Sequence, residues 1–332
     1  MKAIIYSKYG STDVLKLAEV EKPAPKNNEV LIQVHAASVN SWDWDLLRGK
    51  PFVSRLGGFL KPKHNILGAD IAGRVVAVGR DVKQYQPGQD VFGDISGCGW
   101  GGFAEYVCAQ ESALSLKPAS MSFEEAAAIP QAAVLALQGL RDKGQIKKGH
   151  MVLINGAGGG VGTFAIQYAK SIGAEVTGVD TTLKLKMLRS IGADHVIDYT
   201  QEDFTTKGQQ YDLILDVVGN RSVYEYKRIL RHKGAYVMVG GSMNRIFQVI
   251  FQGPLISMIE KKRMGVLIHK PNSNDQNTMK ELFEAGQVVP IIDRLYPLSE
   301  VPQALRYLGE GHTKGKVVIN MNYFDSKNPE YI

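Results

Sequence analysis

The residues best suited to chemistry lie in Met151–Asp180, which reads MVLINGAGGGVGTFAIQYAKSIGAEVTGVD. An apolar run leads into Ala157-Gly158-Gly159-Gly160-Val161-Gly162. An amphipathic segment, a second apolar run and an acid follow. The loop fits an A-x-G-x-x-G register, whereas counting from Gly156 puts Val161 in the sixth place. A glycine loop between a strand and a helix binds anions, because the first helical N–H groups are unpaired and the helix dipole adds to their pull. Gly159 admits a pyrophosphate close to the backbone, and Gly162 lets the helix pack on the strand. The expected ligand is therefore a dinucleotide. Asp180 ends the second strand, where a carboxylate accepts both hydroxyls of an adenosine ribose. A 2′-phosphate about 4 Å away would meet roughly 4 kcal/mol of repulsion. This favours NADH over NADPH, with Lys184 and Lys186 the nearest cations that could offset it.

The elements around this unit are read from period and punctuation. Residues 1 to about 120 show short strands separated by turns, among them Ala3–Tyr6, Glu29–Ala37, Ile71–Gly79 and Phe103–Val107, with Gly73 a candidate bulge. This spacing predicts a compact antiparallel, barrel-like domain. At Ser122-Phe123-Glu124-Glu125 the period changes: Ser122 and Glu125 form a capping box that opens an alanine-rich helix. Strands and helices then alternate to His269, as in a doubly wound parallel sheet. Glycines end its later strands at Val217-Val218-Gly219 and Gly240-Gly241-Ser242, at the sheet edge where cofactors bind. The tail from residue 270 is too small for a domain and reads as a return to the first one. The expected division is 1–123 with 270–332, and 124–269.

Bulk composition excludes several classes. The chain has 332 residues, 44% hydrophobic and 22% charged, with a net charge of +6. No block of five like charges occurs, and Lys261-Lys262-Arg263 reads as a solvated helix end rather than a nucleic-acid patch. Two cysteines, Cys98 and Cys108, cannot build a disulfide scaffold or a four-cysteine zinc lobe, and they fit the reducing cytoplasm. The first twenty residues lack a signal-peptide pattern. Ile246–Ile259 is apolar, but it falls short of the roughly 20 residues of a membrane span. It reads equally as a lid over a hydrophobic substrate or as an interior or dimer-interface helix.

Several stretches together resemble the zinc-independent quinone oxidoreductase (zeta-crystallin-like) branch of the medium-chain dehydrogenases/reductases. They are Val39-Asn40-Ser41-Trp42-Asp43-Trp44, Leu67 to Val75 with Gly68-Ala69-Asp70, Gly101 to Tyr106, Gly159-Gly160-Val161-Gly162, Gly192 to Tyr199, and Lys314-Gly315-Lys316-Val317-Val318. The resemblance implies a Rossmann domain beside a discontinuous GroES-like β-barrel domain, and a homodimer. Where zinc-dependent relatives carry metal ligands, this chain has Asn40, Ala69 and the Pro130-Gln131 region, so no metal is expected. It further implies Asn40 as an active-site donor with Ser41 beside it, and Tyr199 beside the adenine. Thr181, Thr182 and Lys316 join the cofactor set. Two positions depart from the branch: Asp180-Thr181-Thr182-Leu183 replaces a segment that usually suits NADPH, and Leu135 replaces a threonine.

Without a Lewis acid, alcohol oxidation is difficult, because nothing lowers the hydroxyl pKa. Hydride transfer from NAD(P)H to a quinone or an α,β-unsaturated carbonyl remains accessible, provided that a donor meets the developing oxyanion. The expected acceptor is small, planar and hydrophobic. Trp42 and Trp44 could wall it or pack in the core; Asp43 and Arg48 read as a structural pair, and His64 as a surface residue. An enoyl-thioester reductase and a low-turnover nucleotide-binding protein are the alternatives. The first would use a tyrosine in the N-terminal active-site segment, and Asn40–Gly49 contains none.

Overall fold

A computed structural model describes residues 1–55 and 58–322. The last part of the expected return segment, 323–332, lies outside the described residues. In chain order the strands are β1 (Lys2–Ile5), β2 (Lys16–Glu19), β3 (Glu29–Val39), β4 (Asp70–Val78), β5 (Asp90–Asp94), β6 (Tyr106–Gln110), β7 (Leu114–Leu116), β8 (Met151–Asn155), β9 (Glu175–Asp180), β10 (His195–Asp198), β11 (Tyr211–Asp216), β12 (Leu230–Met238), β13 (Arg263–Val266), β14 (Ile292–Pro297) and β15 (Lys316–Asn320). The helices are α1 (Ser41–Arg48), α2 (Phe123–Ala128), α3 (Pro130–Gln138), α4 (Gly160–Ser171), α5 (Thr182–Ser190), α6 (Val223–Ile229), α7 (Met243–Glu260), α8 (Ser273–Glu284) and α9 (Val301–Gly309).

The chain divides into two compact units. The first comprises Met1–Gln131, Pro271–Lys280 and the chain from Ile292; the second is Ala132–Lys270 with Glu281–Ile291. The first crossing thus falls after Gln131 rather than at 123, because α2 stays with the first unit, where Phe123 stacks on His35 at 4.2 Å. The Ser122–Glu125 capping box that begins this helix forms as the sequence predicts.

In the first unit seven strands make one sheet, in the order β14-β15-β3-β4-β5-β7 with β6 also on β3. Its pairs are antiparallel except β14 with β15, so the expected all-antiparallel sheet gains one parallel edge. Beside Gly73 the β3–β4 register slips by one residue, leaving His35 as the extra residue on β3. A Cβ on Gly73 would lie 2.1 Å from the Gln33 carbonyl, so the close approach demands glycine. Ile4, Ile32, Ile71, Phe103, Leu305 and Val317 belong to the core of this unit.

The second unit is a six-stranded parallel sheet in the order β10-β9-β8-β11-β12-β13. Numbered within the unit, that order is 3-2-1-4-5-6, the doubly wound arrangement. Succession reverses between β8 and β11, so the carboxyl ends of these two strands border the place where a nucleotide binds. Leu153, Ile214, Tyr226 and Tyr236 pack in its core.

Candidate active site

The glycine loop follows β8. Gly156 turns with φ of 79°, and the N–H groups of Gly156 and Ala157 both donate to Val179 O at 3.1 Å, tying the loop to β9. Gly159 is the N-cap of α4, and its lack of a side chain leaves the first helical N–H groups, from Gly160, Val161 and Gly162, uncapped. The two glycines singled out by sequence differ in what surrounds them. A Cβ on Gly162 would lie 2.3 Å from Gly156 O and 2.5 Å from Ala157 O. One on Gly159 would meet only Gly156 O at 3.7 Å, in otherwise open space. Gly162 therefore serves packing, and Gly159 leaves room for an anion on the helix N-terminus.

Asp180 departs from the expected arrangement. Its carboxylate is 5% exposed: Oδ2 accepts the Gly158 N–H at 2.8 Å, and Oδ1 accepts the Thr181 N–H at 2.9 Å. The Lys184 ammonium, also buried, lies 3.3 Å from Oδ1. Each oxygen of this acid thus accepts one loop N–H, and a cation stands beside it. The Lys184 ammonium offsets the negative charge on which the expectation of NADH rests. Thr182 donates its hydroxyl to Asp198 Oδ2, while Tyr199 is exposed at the end of β10.

On the other side of the switch point, the segments after β11 and β12 meet. A Cβ on Gly219 would lie 2.3 Å from Gly240 O and 2.7 Å from Gly241 Cα, so Val217–Gly219 and Gly240–Gly241 press backbone to backbone. Ser242 then begins α7 as its N-cap. Beneath them lies a buried network that the sequence did not reveal. Asn155 donates to Asp216 Oδ1 and to the Tyr226 hydroxyl, both at 2.9 Å, and the Tyr236 hydroxyl donates to Asp216 Oδ2 at 2.8 Å. Burial first, and then the Asp216 carboxylate, hold both phenols protonated far above their usual range. This network ties together the ends of β8, β11 and β12 beneath these segments.

In the first unit Asn40 begins α1 as its N-cap and is 6% exposed. Asp43, at the third helical position, reaches back to accept the Asn40 N–H at 2.8 Å and also accepts the Gly68 N–H at 2.9 Å. The expected Asp43–Arg48 pair does not form; Arg48 pairs with Asp45 at 2.9 Å. Burial pushes the Asp43 carboxyl up to about 7. The Asn40 side chain lies between two charges. Its Nδ2 donates to Asp70 Oδ2 at 3.0 Å, and its Oδ1 accepts from Lys316 Nζ at 2.5 Å. Ser38 Oγ and the Gln131 N–H also donate to Asp70 Oδ2, each at 3.2 Å, and Asp70 Oδ1 is buried without a hydrogen-bond partner among the described residues. Burial pushes Asp70 up to about 6 against the pull of Lys316, and burial lowers Lys316.

Lys316, read from sequence with the cofactor set, is thus brought onto Asn40, and its ammonium also reaches Val39 O at 3.4 Å. Ser41 is exposed at the start of α1. Trp42 is 59% exposed and stacks near-parallel on Trp100 at 6.3 Å, so it can wall a planar ligand. Trp44 instead packs on Gly309 of α9, where a Cβ would come within 2.5 Å of its ring. His64 is half-buried beside Gly99 rather than fully exposed.

Zinc does not fit these residues. Ala69 offers no donor atom, Asn40 Oδ1 is held by an ammonium, and Lys316 already supplies a cation 3.7 Å from Asp70. Among the described residues, no group of three or more His, Cys, Asp or Glu could hold a metal ion. No helix among them is long and apolar enough to cross a membrane. Comparison with known proteins matches residues 26–119 to the alcohol dehydrogenase GroES-like domain and residues 191–319 to the zinc-binding dehydrogenase family. The 2-methylene-furan-3-one reductase of Solanum lycopersicum is 35% identical over 334 residues, covering 96% of this chain and 79% of that one. The chain belongs to the medium-chain dehydrogenase/reductase family. Within it, the chloroplastic NADPH-dependent alkenal/one oxidoreductase of Arabidopsis thaliana is 32% identical, covering 96% of this chain and 79% of that one. The solved quinone oxidoreductase of Coxiella burnetii is 31% identical, covers 96% of this chain and 99% of that one, and superposes with a TM-score of 0.86. The family fold, a GroES-like domain with a Rossmann domain, is the one described above.

Proposed function

We propose that this chain is a zinc-independent reductase that uses NAD(P)H to reduce a quinone or an α,β-unsaturated carbonyl compound. The observation that carries this reading is the Asn40 amide, held between Lys316 and Asp70 where no thiolate or imidazole stands. Lys316 can only donate and the Asp70 carboxylate can only accept, so the amide has one orientation. One Nδ2 proton goes to Asp70, and the second has no acceptor among the described residues. That proton is the donor offered to an acceptor's carbonyl oxygen as charge builds there. The bound cofactor supplies the hydride. Gly158–Gly162 and the start of α4 hold its pyrophosphate, with Val217–Gly219 and Gly240–Ser242 on the other side of the switch point. Trp42, stacked on Trp100, presents a flat apolar face that suits a small planar acceptor.

The finer choice of cofactor follows from Asp180 and Lys184. With its carboxylate engaged and the Lys184 ammonium 3.3 Å away, the site admits a 2′-phosphate, and NADPH is accepted at least as well as NADH. The relative named for NADPH supports this choice. Cys98 and Cys108, both unpaired, suit a reducing compartment, and the cytoplasm is the assignment that matches them. A homodimer is the assembly proposed, because α7 exposes Phe251, Met258 and Ile259.

The test is oxidation of NADPH and of NADH against quinones, enones and an enoyl thioester. Turnover of quinones or enones is expected. Tight cofactor binding with no turnover would contradict the reading in favour of a binding protein, and turnover confined to the thioester would favour the enoyl reductase.

A further inference from the structure

Asp70 and Lys316 form an ion pair in the first unit that leaves a carboxylate oxygen without a partner. Lys316 is 3% exposed and Asp70 fully buried. Their charges stand 3.7 Å apart, longer than a hydrogen bond. A buried pair built only for stability brings its charges into direct contact and satisfies the remaining lone pairs. Here the Lys316 ammonium makes its shortest contact, 2.5 Å, with Asn40 Oδ1. Asp70 Oδ2 receives Asn40 Nδ2, while Oδ1 receives nothing. Asp43 and Asp94 are the other carboxylates that act on Lys316, and Asp43 is occupied by two main-chain N–H groups. The two charges attract each other across 3.7 Å, and both also bear directly on the amide between them.

We propose that Asp70 and Lys316 are positioning residues for the reduction, holding the Asn40 amide in a single orientation and polarising it. The proposal rests on the reading of Asn40 as the oxyanion donor. A neutral asparagine has two rotamer-equivalent faces, oxygen and nitrogen. With an ammonium on one side and a carboxylate on the other, the flipped amide would place donor against donor and acceptor against acceptor. A cation on the amide oxygen also draws density from its nitrogen, which strengthens the remaining N–H as a donor through the hydrogen-bonded chain. Lys316 thereby acts on the acceptor through Asn40, doing by charge and orientation what a metal does by direct coordination. The role also explains a buried lysine directly before the apolar Val317–Ile319 of β15.

The test is a double-mutant cycle in the whole enzyme with saturating NADPH and an enone, reading kcat, KM for NADPH and melting temperature. Lys316→Met is expected to lower kcat by about tenfold to a hundredfold, within the range of lost oxyanion donors, with KM for NADPH little changed. Lys316→Arg, which keeps the charge and the donors, is expected to restore most of kcat. In an Asn40→Ala background, Lys316→Met is expected to cost almost nothing further, because the amide through which it acts is gone. An equal loss in both backgrounds, or unchanged kcat with a lowered melting temperature, overturns the proposal. If Lys316→Met leaves Asp70 unbalanced and the enzyme does not fold, Asp70→Asn/Lys316→Met removes both charges together. That variant is read by the same cycle and carries the same expectations. Full kcat in Asn40→Ala itself would instead remove the donor role assigned to Asn40, a distinct failure.

Discussion

Asn40, Asp43 and Asp70 divide the labour at the start of α1 and of β4. Asn40 faces the two charges, while Asp43 supports it from behind by accepting the main-chain N–H groups of Asn40 and Gly68. If the amide meets the developing oxyanion, Asn40→Ala lowers kcat by roughly a hundredfold, the cost of one such donor, and leaves the cofactor dissociation constant nearly unchanged. Stopped-flow turnover and cofactor titration measure the two separately. Asp43→Asn sets an amide N–H₂ against one of two main-chain donors, and is expected to cost about 1–3 kcal/mol near pH 5. This difference depends on pH. The folded Asp43 carboxyl keeps its proton to about pH 7, whereas an ordinary aspartate gives its proton up near 3.8. The folded state therefore binds the extra proton between those limits, and the stability Asp43 contributes is lost as pH rises through about 7. Urea unfolding at pH 5 and pH 8 should show the wild-type advantage over Asp43→Asn shrinking; a gap that is constant or widens with pH would contradict the assignment.

At the scale of elements, the glycine loop is the part most legible in sequence. The strand, the glycine spacing and the following helix are all readable in the letters, and the surroundings of Gly159 and Gly162 differ as their places in the motif suggest, open at the first and closed at the second. Gly162→Ala forces a Cβ to 2.3 Å from Gly156 O and is expected to destabilise the protein by about 1–3 kcal/mol, as overpacking does. Gly159→Ala meets open space, so the fold should hold while NADPH affinity falls. Paired melting and binding curves separate the two; equal melting temperatures for both variants would contradict the division. Asp180 was legible in place, but its partners within the chain were not. Its spacing puts it at the strand end, yet the Gly158 N–H and Lys184 take its carboxylate through turns whose geometry the letters do not state. The Asn155–Asp216–Tyr236 network was hidden for a related reason, since each residue sits on a different strand and no local pattern links them.

For the whole molecule, the alternation of strands and helices was enough to give the doubly wound sheet, and short strands between turns gave the first unit. Neither pattern could give the pairing of Asn40 with Lys316, which are 276 residues apart and meet because β15 pairs with β3. A charged residue opening a buried apolar strand was the one local sign of it. Binding to the native state alone should also raise global stability: NADPH at a hundred times its dissociation constant adds about 2.7 kcal/mol. A melting temperature unmoved by NADPH would contradict the nucleotide site. Charge and orientation from Lys316 and Asp70, acting on Asn40, are proposed to stand where relatives use a metal. The most direct measurement of this is steady-state reduction of an enone by NADPH after exhaustive treatment with a zinc chelator. Turnover equal to that of the untreated enzyme is expected; turnover that is lost on chelation and returns with added zinc would contradict the metal-free role of these residues.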